Sequence, residues 1–336
     1  MIKRDPRRKS PVFVAWSFMR RAESMRPVFE YRHVVMDYQL PRRWLRPAEY
    51  VLKCLATVGL ILRDRPSEIW VQLAPTPLLY AGALGSRLLG GRPLIADCHN
   101  SMLELPWIEH PFAKRILASC AAIIVHNEQV RAQAVAIGLP ADRICVIEER
   151  PALQIGWGGG SVDVGGAPTI VLPASFNADE PIGEVVDAAR MLPDVSFVIT
   201  GDFRRARGRH DLSDVPANVR LTGYLQKDAF DEVLRSADVL LGLTDRPDVQ
   251  LSSAGEGIGA GCPMVLSDTP TLRDLYATGT VFIRENKAGA IATGVATALA
   301  ERSRLRTELR KLADERMRRW SAQAESLQSL LASHGS

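Results

Sequence analysis

Twelve short apolar runs, none longer than six residues, alternate with helical patterns along the chain. That alternation leaves few folds open. In the first half the runs are Val12–Trp16, His33–Met36, Ile69–Leu73, Leu94–Cys98, Ala122–His126 and Ile144–Ile147. Helical stretches near 20–30, 47–64, 78–90, 111–120 and 127–137 separate them. The second half repeats the pattern, with runs at Thr169–Leu172, Ser196–Thr200, Val219–Thr222, Asp238–Leu243, Met264–Leu266 and Thr280–Ile283. Short strands spaced by helices are βαβ units, which build a mainly parallel sheet covered on both faces. The spacing therefore predicts an α/β chain of two doubly wound, Rossmann-like domains. Between them Gly156–Gly166 reads GWGGGSVDVGG, six glycines in eleven residues. Such a stretch has little with which to build a core and marks a domain boundary or a mobile loop. The expected domains are 1–152, a linker at 153–167, a second domain at 168–305, and a charged helix over 306–336 that returns toward the first.

Composition narrows the class. With 46% hydrophobic and 24% charged residues in 336, the chain is globular rather than disordered or fibrous. The longest apolar helical candidate, Val51–Leu62, is broken by Lys53 and too short to span a bilayer. The basic start MIKRDPRRKS precedes only a brief apolar piece that meets Arg20 and Arg21, unlike a secretory signal. Five scattered cysteines, odd in number and without metal-ligand spacing, point to a reducing cytoplasm and away from disulfides or zinc. Charge is uneven. Residues 1–100 hold 17 Lys/Arg against 8 Asp/Glu, a net +9, and the remainder is 25 − 30 = −5. A basic first half suits an anionic membrane surface or a lipid-linked anionic acceptor. No nucleic-acid motif accompanies the dispersed basic residues, so nucleic acid is not an expected partner.

The stretch Leu240–Asp268, LLGLTDRPDVQLSSAGEGIGAGCPMVLSD, carries the densest chemistry. A strand runs into a polar loop with Asp248, then into a small-residue helix near Ser252 and Ser253, with Glu256 expected in its first turn. A helix start offers free backbone N–H groups and the positive end of the dipole, so it suits a phosphate. The serines are expected to cap it, and Gly255 and Gly257 to let a ligand approach the backbone.

Asp248, seven residues, Glu256, small residues and Gly261-Cys262-Pro263 resemble the nucleotide-sugar site of GT-B glycosyltransferases, glycosyltransferase family 4 above all. The resemblance implies two domains facing a cleft. It implies a nucleotide-diphosphate sugar, UDP- or GDP-linked, as donor substrate, with no other cofactor and no metal. By the same resemblance the first acid faces the donor sugar and the second holds the ribose diol; a carboxylate accepts two hydrogen bonds at once. The family usually has Glu where this chain has Asp248.

A second likeness is patchier. Ala74-Pro75-Thr76-Pro77, then Asp97-Cys98-His99-Asn100 at a strand end, then Trp107, resemble the β-1,4-mannosyltransferases that use GDP-mannose. Ser175–Glu180, Ile199–Asp202 and Phe230–Leu243 extend that likeness. Family 4 implies retention of configuration and the second likeness implies inversion, which needs a base; Asp97 and His99 are the candidates. Family 4 also has an Arg and a Lys after the first strand of its second domain. Here that place reads Ala174–Pro181 without a basic residue, so Arg204 and Arg205, beyond the Gly201-Asp202 turn, are the expected cations for the diphosphate. Arg20, Arg21 and Asn100 are expected to contact the acceptor or a phosphate.

The expected function is transfer of a hexose to a saccharide or lipid-linked acceptor, in the cytoplasm or on the inner face of the membrane. The empty Arg/Lys place keeps open a non-catalytic subunit supporting a partner transferase, and a nucleotide-sugar epimerase or hydrolase stands beside it.

Overall fold

All twelve anticipated strands form, and they assemble into two separate six-stranded sheets in which every paired neighbour is parallel. The structure, a computed structural model, describes residues 10–160 and 166–334. The basic stretch 1–9, the SVDVG segment 161–165 and the last two residues lie outside those described.

The first sheet contains β1 (Val12–Ala15), β2 (Arg32–Val35), β3 (Ile69–Leu73), β4 (Leu94–Cys98), β5 (Ala122–Val125) and β6 (Ile144–Val146), in the order β2-β1-β3-β4-β5-β6. Every residue of β1, β3, β4 and β5 is buried. Burial on both faces is why these strands are apolar throughout instead of alternating. Helices α1 (Arg20–Phe29), α2 (Arg46–Asp64), α3 (Thr76–Leu88), α4 (Ala113–Ala118) and α5 (Glu128–Ala136) supply the crossovers. Helices α2 and α3 approach closely because Gly85 presents no side chain; a Cβ there would stand 2.8 Å from Ile61.

The second sheet contains β7 (Thr169–Pro173), β8 (Ser196–Thr200), β9 (Val219–Gly223), β10 (Val239–Gly242), β11 (Met264–Ser267) and β12 (Thr280–Ile283), in the order β12-β11-β10-β7-β8-β9. Helices α6 (Ile182–Met191) and α10 (Ala288–Ala300) pack one face. Helices α7 (Lys227–Arg235), α8 (Ser252–Ala260) and α9 (Pro270–Leu275) pack the other, with the start of α11 (Arg302–His334).

Two compact units result, Met1–Arg150 with Trp320–Ser336, and Pro151–Arg319. Helix α11 serves both. Its Leu309, Leu312 and Ala313 are buried in the second unit. Its Trp320, Ala324 and Leu327 join Phe13, Trp70, Ile95 and Ile124 in a core of the first.

The expectation of a loose linker fails over its described part. Ile155 is buried, and Trp157 packs beside it and against Gly261. The Gly158 N–H donates to the Ala260 carbonyl at 3.0 Å, and Arg306 donates to the carbonyls of Gly158 and Gly159. Glycine is needed there for closeness rather than looseness, since a Cβ on Gly158 would lie 1.8 Å from the Arg235 carbonyl oxygen. Among the described residues no helix is long and apolar enough to cross a membrane.

Candidate functional site

In a doubly wound sheet, ligands bind beyond the carboxyl ends of the strands, where the strand order reverses. The first sheet reverses between β1 and β3, the second between β7 and β10. Each reversal carries a cluster of polar residues.

In the first unit the cluster is buried. Gln72 lies on β3, Asp97 on β4, His99 just after β4, His126 just after β5, and Arg21 in the first turn of α1. Arg21 Nε donates to Asp97 Oδ1 at 3.3 Å. Its two terminal nitrogens donate to the carbonyls of Glu148 and Ile147, at 3.1 and 2.6 Å. The Arg21 side chain is thus consumed in tying α1 to the ends of β4 and β6. At 2% exposure it is not placed to meet an acceptor or a phosphate, contrary to the expectation from sequence. The His126 Nε2 stands 4.0 Å from Asp97 Oδ1, and the His126 and His99 rings meet edge to face at 4.7 Å. Gln72 Nε2 lies 3.4 Å from His99 Nε2. Asp97 Oδ2 and Gln72 Oε1 are buried and have no hydrogen-bond partner among the described residues.

Burial sets the protonation of this cluster. It lowers the pKa of His99, against the opposing pull of Asp97, and lowers that of His126 much further, helped by the Arg21 charge. Burial therefore favours the neutral form of both imidazoles, and of His126 the more strongly. Burial also raises the Glu149 carboxyl, with Arg21 opposing. His99, unlike Asp97, keeps part of its surface accessible. Arg20 is exposed at the first position of α1, and Asn100 opens the single 3-10 turn Asn100–Leu103 after β4.

In the second unit the loops after β7 and β10 are knitted together. Asp179 Oδ2 accepts from the Thr244 hydroxyl at 2.6 Å, and the Asp245 N–H donates to the Asp179 carbonyl at 2.9 Å. Asn286 donates to the Thr244 carbonyl and to Asp245, and accepts from Ser267, tying in the ends of β11 and β12. The Glu180 carboxylate accepts the backbone N–H groups of Ser175 and Phe176, each at 2.9 Å. Gly201 has φ +110, and a Cβ there would stand 2.0 Å from the Ala174 carbonyl oxygen, so this glycine is fixed by the close approach of two strand ends.

Helix α8 begins at Ser252 as expected, but its N-cap is Leu251, which makes no side-chain cap. The serines occupy its first two positions, Ser252 exposed and Ser253 buried, and so leave the leading N–H groups without a side-chain acceptor at the cap. Glu256 falls in the second turn rather than the first and is 8% exposed. The glycines differ. A Cβ on Gly255 would meet nothing within 4 Å, whereas one on Gly257 would press on Met264 at 2.9 Å. Gly255 borders open space; Gly257 serves packing against β11.

Asp248 is gripped by a residue that sequence reasoning passed over. Arg246 Nη2 donates to Asp248 Oδ2 at 2.8 Å and its Nε to Oδ1 at 3.3 Å. This half-exposed pair lies in the loop that leads from β10 into α8. Arg204 instead folds its guanidinium onto Asp202 of its own turn, at 2.7 and 2.9 Å, with its side chain 83% exposed; Arg205 is exposed beside it. His126 was also missed. The available signal was positional, since it follows a buried strand just as His99 does.

The sequence over residues 9–148 matches the model of the glycosyl transferase 4-like domain. No curated protein matches the chain. Solved structures do match it in fold. HepE from Anabaena, crystallised with UDP-glucose, is 13% identical with a TM-score of 0.71, covering 95% of this chain and 99% of that one. Sucrose-phosphate synthase from Thermosynechococcus elongatus is 15% identical with a TM-score of 0.68, over 90% and 83% of the two chains. UDP-GlcNAc 2-epimerase from Neisseria meningitidis, bound to UDP-GlcNAc, is 14% identical with a TM-score of 0.58, over 98% and 93%. Residues 9–148 are thus similar to a glycosyl transferase 4-like domain, in a chain with the GT-B fold.

Proposed function

We propose that the protein transfers a hexose from a nucleotide-diphosphate sugar to a saccharide or lipid-linked acceptor, working at the inner face of an anionic membrane. One observation carries the donor half of this reading. The uncapped start of α8, the open space at Gly255 and the carboxylate of Glu256 lie on consecutive turns of one helix, beside the strand reversal of the second sheet. The helix N–H groups and the dipole receive the diphosphate. Glu256 accepts from the ribose hydroxyls, and Asp248 from hydroxyls of the sugar. That HepE of the same fold was crystallised with UDP-glucose supports a nucleotide sugar in this role.

In the reaction the bond from the sugar C1 to the diphosphate breaks, and one from C1 to the acceptor oxygen forms. Negative charge grows on the departing diphosphate and meets protein donors without a metal: the α8 amides and Arg246. The acceptor belongs to the first unit. There the neutral His99 takes the acceptor proton, with Gln72 and His126 beside it and Asp97 buried behind them and fixed by Arg21.

Incubating the chain with a panel of UDP- and GDP-sugars, with and without saccharide and lipid-linked acceptors, tests the proposal. Donor turnover that depends on acceptor is the expected result. Turnover without acceptor points to the epimerase or hydrolase reading. Binding without any turnover points to the supporting subunit that the missing Arg/Lys pair suggests.

A further inference from the structure

Helix α2 has two faces of unusual purity. Its only charges between Pro47 and Leu62 are Glu49 and Lys53, and both are turned inward. Lys53 Nζ donates to Glu49 Oε1 at 2.9 Å, and the other Glu49 oxygen accepts from the Leu40 N–H at 3.0 Å, so the pair is satisfied within the fold. The outward residues over the same span are Pro47, Ala48, Val51, Leu52, Leu55, Ala56, Gly59 and Leu62. Not one can make a side-chain hydrogen bond to water. Leu55 is 66% exposed, and Trp44, in the short turn before the helix, is 70% exposed. Scattered exposed leucines are ordinary, but a continuous apolar stripe along about four turns of one helix is not.

The ends of the stripe are basic. Arg42 and Arg46 are exposed at its start. At its end lie Arg32, Arg63 and Arg65, with Asp64 pairing to Arg63 and Arg32. Residues 10–100 carry 12 Lys/Arg and 7 Asp/Glu, a net +5. Helix α3, packed on α2, adds exposed Leu84, Arg87 and Leu88.

We propose that the outward face of α2 is a docking surface for an anionic lipid bilayer, with the stripe seated among the acyl chains and the terminal arginines on phosphate headgroups. The pattern is that of a helix lying in the plane of an interface: an apolar face, cations flanking it, and a Trp whose ring is apolar with one polar edge. The charges also select against a second copy of the chain. Both ends of the stripe are basic, so any two-fold pairing through this face sets arginines against arginines. The inference deepens the membrane-side reading above by naming the surface; vesicle binding itself needs neither donor nor acceptor.

The test is sedimentation of the full chain with vesicles of phosphatidylcholine containing phosphatidylglycerol, against phosphatidylcholine alone. Binding to the anionic vesicles only, weakening as salt rises, is expected. Leu52→Glu/Leu55→Glu, at exposed positions and checked for fold by circular dichroism, is expected to lower the partition constant at least about tenfold. Arg42→Ala/Arg46→Ala removes two headgroup contacts without touching the stripe and is expected to lower it by about 10–30-fold. Equal binding to both vesicle types, or variants that bind like the parent, overturns the proposal. So does a parent chain that is dimeric and becomes monomeric on Leu52→Glu/Leu55→Glu, because the face then belongs to a second copy. Lost vesicle binding with intact UDP or GDP binding leaves the donor reading standing, and lost nucleotide binding with intact vesicle binding leaves this one.

Discussion

Three glycines of α8, spaced two residues apart, give the sharpest test of where the diphosphate lies. At Gly255 a Cβ meets nothing within 4 Å, so Gly255→Ala gains helix propensity without a clash. The gain is about 0.5–1 kcal/mol, or about 1–4 °C in melting temperature. Donor binding moves the other way. A phosphate oxygen in van der Waals contact with a bare Cα sits about 3.5 Å away, and a methyl carbon projecting into that gap must displace it. Overpacking of this kind costs about 1.4–2.7 kcal/mol, a 10–100-fold loss of affinity for UDP or GDP. Gly259 is the control. Its Cβ would lie 2.2 Å from the Ala152 carbonyl oxygen, a backbone atom that cannot swing aside. Gly259→Ala should therefore lower stability by about 1–3 kcal/mol. Isothermal titration with UDP and GDP, beside thermal melts of each variant, reads both effects. A Gly255→Ala protein that binds nucleotide as tightly as its parent refutes a phosphate at the start of α8. One that melts below its parent refutes the open space itself.

Glu256→Ala should weaken nucleotide binding by about 1.5–3 kcal/mol and abolish discrimination between UDP and 2′-deoxy-UDP; discrimination that survives removes the ribose assignment. His99→Gln should cut turnover by about 10²–10⁴-fold while leaving nucleotide affinity unchanged, and equal turnover removes His99 as the base. Because burial holds His99 below its ordinary value of 6.5, the acid limb of kcat/KM should fall below pH 6.5. His99 and His126 both bind protons more readily in the unfolded chain. Their contribution to stability is thus complete above the ordinary histidine value and lost as pH falls toward the depressed folded values, so the urea midpoint should drop between about pH 7 and pH 5. Arg246→Ala should lower turnover about 10²–10³-fold and donor affinity much less, whereas Arg204→Ala/Arg205→Ala should leave turnover near normal; the reverse result returns the leaving-group charge to the arginine loop.

The fold was legible because parallel sheets write themselves as apolar runs, and burial of β3 and β4 on both faces leaves no alternation to misread. Strand ends could be read as well, which is why Asp97 and His99 stood out. What single-chain patterns cannot show is which partner a charge has chosen. Arg20 and Arg21 are neighbours of one type, yet one is exposed and the other buried against Ile147, Glu148 and Asp97, more than seventy residues away in sequence. The glycines of 156–160 looked like slack because composition does not show that Arg235 and Arg306 come close to them. Helix α8 was placed correctly, but its cap was misjudged. Serines favour the cap position, and here the chain reaches helical geometry one residue earlier, at Ser252 itself.

The division of α11 between two cores has a consequence for how the protein is made. The first unit is discontinuous: its β-strands end at Val146, but Trp320, Ala324 and Leu327, which complete the core around Phe13 and Trp70, come about 170 residues later. At about 5–20 residues per second, that is a delay of about 10–30 s on the ribosome. Through that interval the face formed by Phe13, Phe29, Trp70 and Ile124 lacks its last layer. The second unit waits on the same helix for Leu309, Leu312 and Ala313, so both cores close only as α11 is made, although the N-terminal half is synthesised first. A nascent chain thus keeps an aromatic face open to chaperones until translation is nearly complete, and a message cut short before Trp320 yields a product that carries this face exposed for proteases to recognise.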